Sequence, residues 1–306
     1  MNTCTKCQKT AFVKVTDGYF LCKECFTENI EKKVRMAIKK YKMLTYNAHV
    51  AIGLSGGKDS VTLLHILKKI AQPATKLTAV IVDEGVAGYR PEGIKIAIKN
   101  AEELNIPHKV KSYKELFGYT LDEMLVEPPM GKTSCGVCGT FRRKTLNNLA
   151  LDVGADVLAT GHNLDDEAES VLMNVLRGDP IRFSRMAREP EKFSEKFVPR
   201  IKPLVLVSQP EIVYYAIANN LEWHDHTCPY AGEARRNGIR NFLQTQEKKH
   251  FGTLKNIIAF QDELLKQYEL VEREEVKVLD CKVCGEPTDD PTMLCQGCKL
   301  LAKIKS

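Results

Sequence analysis

The chain has 306 residues, enough for about two domains' worth of core, and its 43% hydrophobic and 27% charged residues are ordinary for a soluble globular protein. A net charge of +6 permits an RNA partner without demanding one. No apolar run approaches a membrane span and the N-terminus carries no signal-peptide core, so the cytoplasm is the expected location.

Residues 1–28 are too short for a core of their own. Cys4, Cys7, Cys22 and Cys25 bracket the aromatic and β-branched run FVKVTDGYF, which predicts a small zinc ribbon around a hairpin turning at Asp17-Gly18. Residues 28–41 follow as a basic amphipathic helix carrying Lys32, Lys33, Arg35, Lys39 and Lys40, a solvated face or an RNA contact. From His49 onward strands and helices alternate. Strands are predicted at 50–54, 77–82, 108–113 and 156–161, and helices at 61–70, 91–104, 141–153 and 164–177. Such alternation implies an α/β fold, a doubly wound parallel sheet with ligands at the carboxyl ends of its strands. Residues 178–200, with prolines and Arg182, Arg185, Arg188, Lys192, Lys196 and Arg200, read as a long mobile surface loop. Helical patterns return at 211–220, 240–249 and 254–270, and residues 276–306 mirror the first ribbon with Cys281, Cys284, Cys295 and Cys298. The expected organisation is therefore an N-terminal ribbon at 1–28, a catalytic domain at 29–270 and a C-terminal ribbon at 271–306.

The eleven cysteines sort into four, three and four. An odd count in C-x-x-C pairs argues against a secreted disulfide framework and for metal. Four thiolates close a structural zinc site, so the ribbons call for two Zn2+, whereas three leave a position open. The three are Cys135, Cys138 and the distant Cys228. They are free thiols, a redox pair with a persulfide-carrying nucleophile, or three ligands of an iron–sulfur cluster, and spacing alone does not separate the last two.

The string SGGKDS after the first buried strand makes an anion cradle. Glycines let the backbone approach phosphates, unpaired N–H groups at the helix start point at them, and Lys58 adds a full charge. It is not a Walker A loop, because Gly53 to Gly57 leaves three intervening residues and Asp59 follows Lys58. Further on, GHNLDDEAES places Asp165, Asp166 and Glu167 in the first turn of a helix. The helix dipole alone favours acids there, but carboxylates beside a triphosphate coordinate magnesium, and Asp166 is the first choice for Mg2+.

SGGKDS is the string that marks the PP-loop ATP pyrophosphatases. With VDEGVAGYR, C-x-x-C-G, TGHNLDDEAE, VLMNVLRGD and TCPYAG in this order, the chain resembles the TtcA/TtuA family of tRNA thiolation enzymes over nearly its full length. VDEGVAGYR, SYKELFG and CGTFRRKTLN look most like the branch that thiolates the wobble uridine, the archaeal NcsA proteins and their eukaryotic cytosolic tRNA 2-thiolation counterparts. The ribosylthymine-54 branch shares the architecture but usually carries Lys where Arg142 stands. The resemblance implies that Ser55, Gly56, Gly57, Lys58, Asp59 and Ser60 bind ATP phosphates, that the backbone around Val82 holds adenine, and that Gly161 and Asp166 complete the nucleotide site. It implies further that Cys135, Cys138 and Cys228 hold a 4Fe-4S cluster whose remaining iron can carry the sulfur. Asp59, Asp166 and Arg142 become the catalytic candidates, with Asp59 and Arg142 near the α-phosphate. The expected partners are tRNA and a sulfur donor, sulfide or a thiocarboxylated ubiquitin-like carrier, and the expected assembly is a homodimer. Competing readings are a non-catalytic RNA-binding zinc protein, an iron–sulfur redox sensor, and a PP-loop ligase that amidates a carboxylate.

Overall fold

The computed structural model describes residues 2–15, 18–127, 131–184, 186, 188–192, 194–233, 236–269 and 279–305. Asp17 of the expected turn, Arg185, and residues 270–278 at the expected second domain boundary lie outside these. The chain opens with an antiparallel hairpin, β1 (Val13–Lys14) and β2 (Phe20–Leu21). Cys22 then caps α1 (Lys23–Lys40), its sulfur accepting the Cys25 N–H. The helix expected at 28 thus starts inside the ribbon. Phe26, Ile30, Val34 and Ala37 recur along one buried face, while Lys33 reaches the Glu211 carboxylate at 2.6 Å, so part of the basic face is paired rather than solvated.

The nucleotide sheet follows. Its first unit is β3 (His49–Gly53), α2 (Lys58–Ile70), β4 (Lys76–Asp83), α3 (Arg90–Glu103) and β5 (His108–Ser112). Two short helices, α4 (Tyr113–Phe117) and α5 (Leu121–Met124), each with a capping box, lead to α6 (Ser134–Asp152). Then come β6 (Val157–Ala159), α7 (Leu164–Leu176), α8 (Pro180–Ser184), β7 (Arg200–Ile201) and α9 (Gln209–Ala218). A 3-10 turn at Ala231–Glu233 precedes α10 (Arg236–Lys249) and α11 (Thr253–Glu269). The second ribbon is β8 (Leu279–Asp280), β9 (Pro287–Thr288) and α12 (Gln296–Lys305).

The five-stranded sheet runs β5-β4-β3-β6-β7, every pair parallel. Alternation along its inner strands assigns side chains to two cores. Val50, Ile52, Ala79 and Ile81 face α1, α2, α3 and α9, while Ala51, Val80, Val82 and Leu158 face α6 and the short helices. The edge strand β5 reads HKVKS, and its exposed Lys109 blunts an edge that would otherwise invite pairing. A third core joins α7 to α10 and α11. Because β4 and β6 flank β3 on opposite sides, the chain reverses direction at β3, and the crevice outside its carboxyl end is where such sheets bind ligands.

Two expectations are corrected. Residues 178–200 are not one long loop: α8 and the start of β7 interrupt them, Val198 is buried, and Arg188 is buried against Asp262 and Gln261. A basic residue that finds buried acidic partners becomes part of the core. The helix expected at 141 begins at Ser134, so Cys135 and Cys138 lie within its first turns instead of preceding it. Among the described residues, no helix is long and apolar enough to cross a membrane.

Candidate functional site

The loop after β3 is shaped by two serines and two close backbone contacts. Ser60 Oγ accepts the Ser55 N–H at 3.1 Å and donates to the Gly57 carbonyl at 2.9 Å, and Ser55 Oγ lies 3.0 Å from it. Gly56 has φ of 86°, and a Cβ there would stand 2.1 Å from the Gly93 carbonyl oxygen. Only glycine fits both conditions. Gly57 caps α2 with no side-chain hydrogen bond, which leaves the first helical N–H groups for an anion. At the neighbouring strand end, a Cβ on Gly161 would lie 3.1 Å from both the Asp59 carbonyl carbon and the Ser60 nitrogen, so a side chain there would push this loop back by a few tenths of an ångström. Lys58 Nζ sits 2.8 Å from Asp59 Oδ2, and Asn163 Nδ2 donates to Asp59 Oδ1 at 3.0 Å.

The acids of α7 divide. Asp166 closes a capping box with Asn163 and has Arg236 Nη1 3.5 Å from its Oδ1. It stands beside the loop, linked to Asp59 through Asn163. Asp165 turns away, accepting the Gln209 N–H at 2.8 Å, and burial pushes its carboxyl up to about 6. Its position suits holding α9, not a metal.

Val82, at the end of β4, is buried, and its carbonyl accepts from both Nε and Nη2 of Arg90. Any part Val82 plays at a base therefore does not use that oxygen. Arg90 also donates from Nη1 to the Ser55 carbonyl at 2.6 Å, and so ties the ends of β3 and β4 together. Beside it lies the buried Glu84, with Oε2 2.6 Å from Arg90 Nε and Oε1 2.9 Å from Arg142 Nε. Arg142 Nη2 in turn lies 3.1 Å from Cys138 Sγ. A continuous chain of contacts thus joins the phosphate loop to a thiol. Arg90, Glu84 and Asn163 are the residues that sequence reasoning missed. The segment VDEGVAGYR contains the first two, but nothing local marks an arginine that folds back onto its own strand.

Thr133 caps α6 by accepting the Gly136 N–H, which sets Cys135 and Cys138 one turn apart. Cys138 is buried and its thiol is pushed up by burial, with the Arg142 charge opposing. The Cys135 thiol reaches the Tyr230 carbonyl at 3.6 Å, and the Ala231 N–H donates to the Cys228 carbonyl at 2.9 Å. The 228–231 turn, which begins with Cys228, therefore lies against the start of α6.

The other eight cysteines form two groups in which all donor atoms lie within 4.8 Å of one another. Sulfur separations of 3.5 Å (Cys7–Cys22), 3.6 Å (Cys7–Cys25) and 3.6 Å (Cys284–Cys295) fit four thiolates around one tetrahedral ion with bonds of about 2.3 Å. Burial pushes Cys4 and Cys281 up, yet backbone N–H groups outweigh it and hold each thiol down at about 6. Lys144 of α6 extends Nζ to within 3.0 Å of Cys284 Sγ and pairs with Glu286, docking the C-terminal ribbon on the helix that carries Cys135 and Cys138.

Comparison with known proteins gives a consistent picture. A PP-loop domain model matches residues 26–247. The tRNA 2-thiolation protein NcsA of Haloferax volcanii is 36% identical, each chain covered over 99%. Cytoplasmic tRNA 2-thiolation protein 1 of Caenorhabditis elegans is 37% identical over 96% of this chain and 78% of its own. The solved structure of the U34-tRNA thiolase NcsA from Methanococcus maripaludis with its 4Fe-4S cluster superposes with a TM-score of 0.84 at 34% identity, covering 99% of this chain and 96% of that one.

Proposed function

Since the chain belongs to the PP-loop family and, within it, to the tRNA 2-thiolation proteins, we propose that it is an ATP-dependent tRNA-uridine 2-sulfurtransferase acting on the wobble uridine, position 34, in the cytoplasm. The observation that carries this reading is the run of contacts Ser55–Arg90–Glu84–Arg142–Cys138, which places an activating loop and a thiol site on one connected frame. A phosphate loop alone would suit any adenylating enzyme; the attached three-cysteine site calls for sulfur.

The amides of Gly56, Gly57 and the start of α2 receive the ATP phosphates, and Lys58 offsets their charge. Uracil O2 attacks the α-phosphorus, the bond to the bridging oxygen breaks, and pyrophosphate leaves. The resulting C2–O–adenylate turns a poor leaving group into AMP. Sulfide then adds at C2, and the C2–O bond breaks to release AMP; where a thiocarboxylated carrier is the source, water cleaves its acyl–sulfur bond, leaving the carrier's carboxylate and freeing the sulfide. Arg142 stabilises negative charge that develops between the two sites, and Asp59 orients Lys58. Mg2+, with Asp166 nearest to supply a carboxylate, would neutralise the triphosphate. Cys135, Cys138 and Cys228 would hold the 4Fe-4S cluster, which supplies an iron without a protein thiolate where sulfur can be bound. The two four-cysteine sites would hold structural Zn2+.

The test is anaerobic thiolation of tRNA with ATP and sulfide, read by nucleoside mass spectrometry with the modified position mapped. Thiouridine at position 34, lost in Lys58→Ala and Cys138→Ala, is expected. Sulfur at position 54 would overturn the position, and full activity of an iron-free preparation would overturn the cluster.

A further inference from the structure

Thiolation leaves one tight group of metal-ligating side chains without a role. Among the described residues, the donor atoms of Glu92, His224 and His226 lie within 4.8 Å of one another, as otherwise only the two four-thiol sites do. Glu92 Oε2 is 3.6 Å from His224 Nε2 and 3.7 Å from His226 Nδ1. These separations exceed the 2.7–3.2 Å of a good N–H···O bond. They come close to the roughly 3.3–3.5 Å that separates two ligands of a tetrahedral zinc bound at about 2.0–2.1 Å.

Glu92 and His226 are exposed, and a solvated acid–imidazole pair would need nothing more. His224 does not fit that account. Its side chain is only 4% exposed, and its Nε2 is buried with no hydrogen-bond partner. A buried ring nitrogen left unpaired costs free energy, and here it is aimed at the Glu92 carboxylate. The imidazole is held there by its backbone, whose N–H donates to the Gly56 carbonyl at 2.8 Å, and by the Tyr89 ring at 5.0 Å.

We propose that Glu92, His224 and His226 bind one divalent transition-metal ion, zinc being the best match, on the outer side of the phosphate loop. Two imidazoles and a carboxylate with a fourth position open form a known zinc donor set, distinct from the all-thiolate ribbons. The ion joins two segments that both touch the glycine turn. Glu92 precedes Gly93, whose carbonyl packs on Gly56, and His224 bonds the Gly56 carbonyl directly. Occupancy therefore braces the turn from behind.

The experiment uses full-length protein with the ribbons filled and the iron–sulfur site reconstituted, desalted under anaerobic conditions. Zinc is titrated against a chromophoric chelator for wild type, Glu92→Gln and His226→Ala, and amide exchange at Gly56 and Gly57 is followed with and without the ion. Wild type should take up one more equivalent than either variant. Each variant should bind it at least about 100-fold more weakly, beyond what loss of an outer-shell partner costs. Exchange at the turn should slow on zinc addition only in wild type. Ribbon zinc and cluster absorption report that the variants are folded. Because His226 is two residues from Cys228, Glu92→Gln decides if His226→Ala disturbs the cluster. No extra equivalent in wild type, or equal uptake by Glu92→Gln, overturns the site; uptake without slowed exchange overturns the bracing.

Discussion

Glu84→Gln is the most informative single change, because this side chain joins the nucleotide loop to the thiol site. The substitution keeps the shape and one acceptor oxygen but removes the charge that two guanidiniums share. The Arg142 side chain is 51% exposed, so its half of the loss is worth only about 0–1 kcal/mol. The Arg90 side chain is 6% exposed and Glu84 8%, and breaking a buried pair costs up to about 3–5 kcal/mol. That upper range does not apply. Arg90 keeps its bonds to the Val82 and Ser55 carbonyls, and its Nε–H is directed at Val82, so the contact with Glu84 is a charge pair more than an aligned hydrogen bond. The expected loss is roughly 2–3 kcal/mol, near the value of one hydrogen bond to a charged group plus a partly screened pair. Urea unfolding of the reconstituted protein should show a lower midpoint at an unchanged slope. ATP affinity should fall with it, since Arg90 holds Ser55. A loss below about 0.5 kcal/mol with unaltered ATP binding would refute the idea that Glu84 organises the site.

Three further outcomes follow from the geometry. Asp165 is held at about 6 against 3.8 when unfolded, so its stabilising contribution is present below about pH 4 and lost as pH rises through 6. Asp165→Asn, which keeps an acceptor for the Gln209 N–H, should match wild type near pH 4 and exceed it by up to roughly 3 kcal/mol at pH 7; a constant gap from pH 4 to 7 in urea unfolding would contradict the burial argument. Gly56→Ala drives a Cβ to 2.1 Å from the Gly93 oxygen at a φ of 86°, and should cost at least about tenfold in ATP affinity by calorimetry. An affinity within twofold would mean that the turn is not the cradle. Lys144→Met removes the ammonium beside Cys284 and should speed zinc loss to a chelator from the C-terminal ribbon while the N-terminal ribbon is unaffected.

What could be read from the sequence was local. SGGKDS after an apolar strand predicts strand, turn and helix because each requirement is met within eleven residues, and α2 begins at Lys58, three residues before the apolar run that predicts it. The start of α6 escaped because Gly136 and Gly139 argue against a helix by propensity. Thr133, the cap that overrides them, was a visible signal left unused. The character of 178–200 could not be read locally at all, since Arg188 is buried by Asp262, far along the chain. The same holds for the pairing of Glu84 with Arg142, 58 residues further on.

Helix α6 shows why these separations matter for chemistry. Its Cys135 faces the turn at 228–231, its Arg142 reaches back one turn to the Cys138 sulfur and across to Glu84, and its Lys144 enters the C-terminal ribbon. One rigid element thus carries the thiols, their charge partner and the anchor of a metal module. Its other end is fixed by Leu149 and Ala150 in the core beneath β3 and β4. An arginine four residues after a cysteine on a helix points to the same side as that cysteine. Arg142 can therefore contact the sulfur and the carboxylate that holds Arg90 at once, without any loop having to close. In the proposed reaction, adenylation and sulfur delivery are separate steps that must meet at one carbon atom. A fixed helix joined to the phosphate loop by two buried side chains satisfies that requirement through position alone.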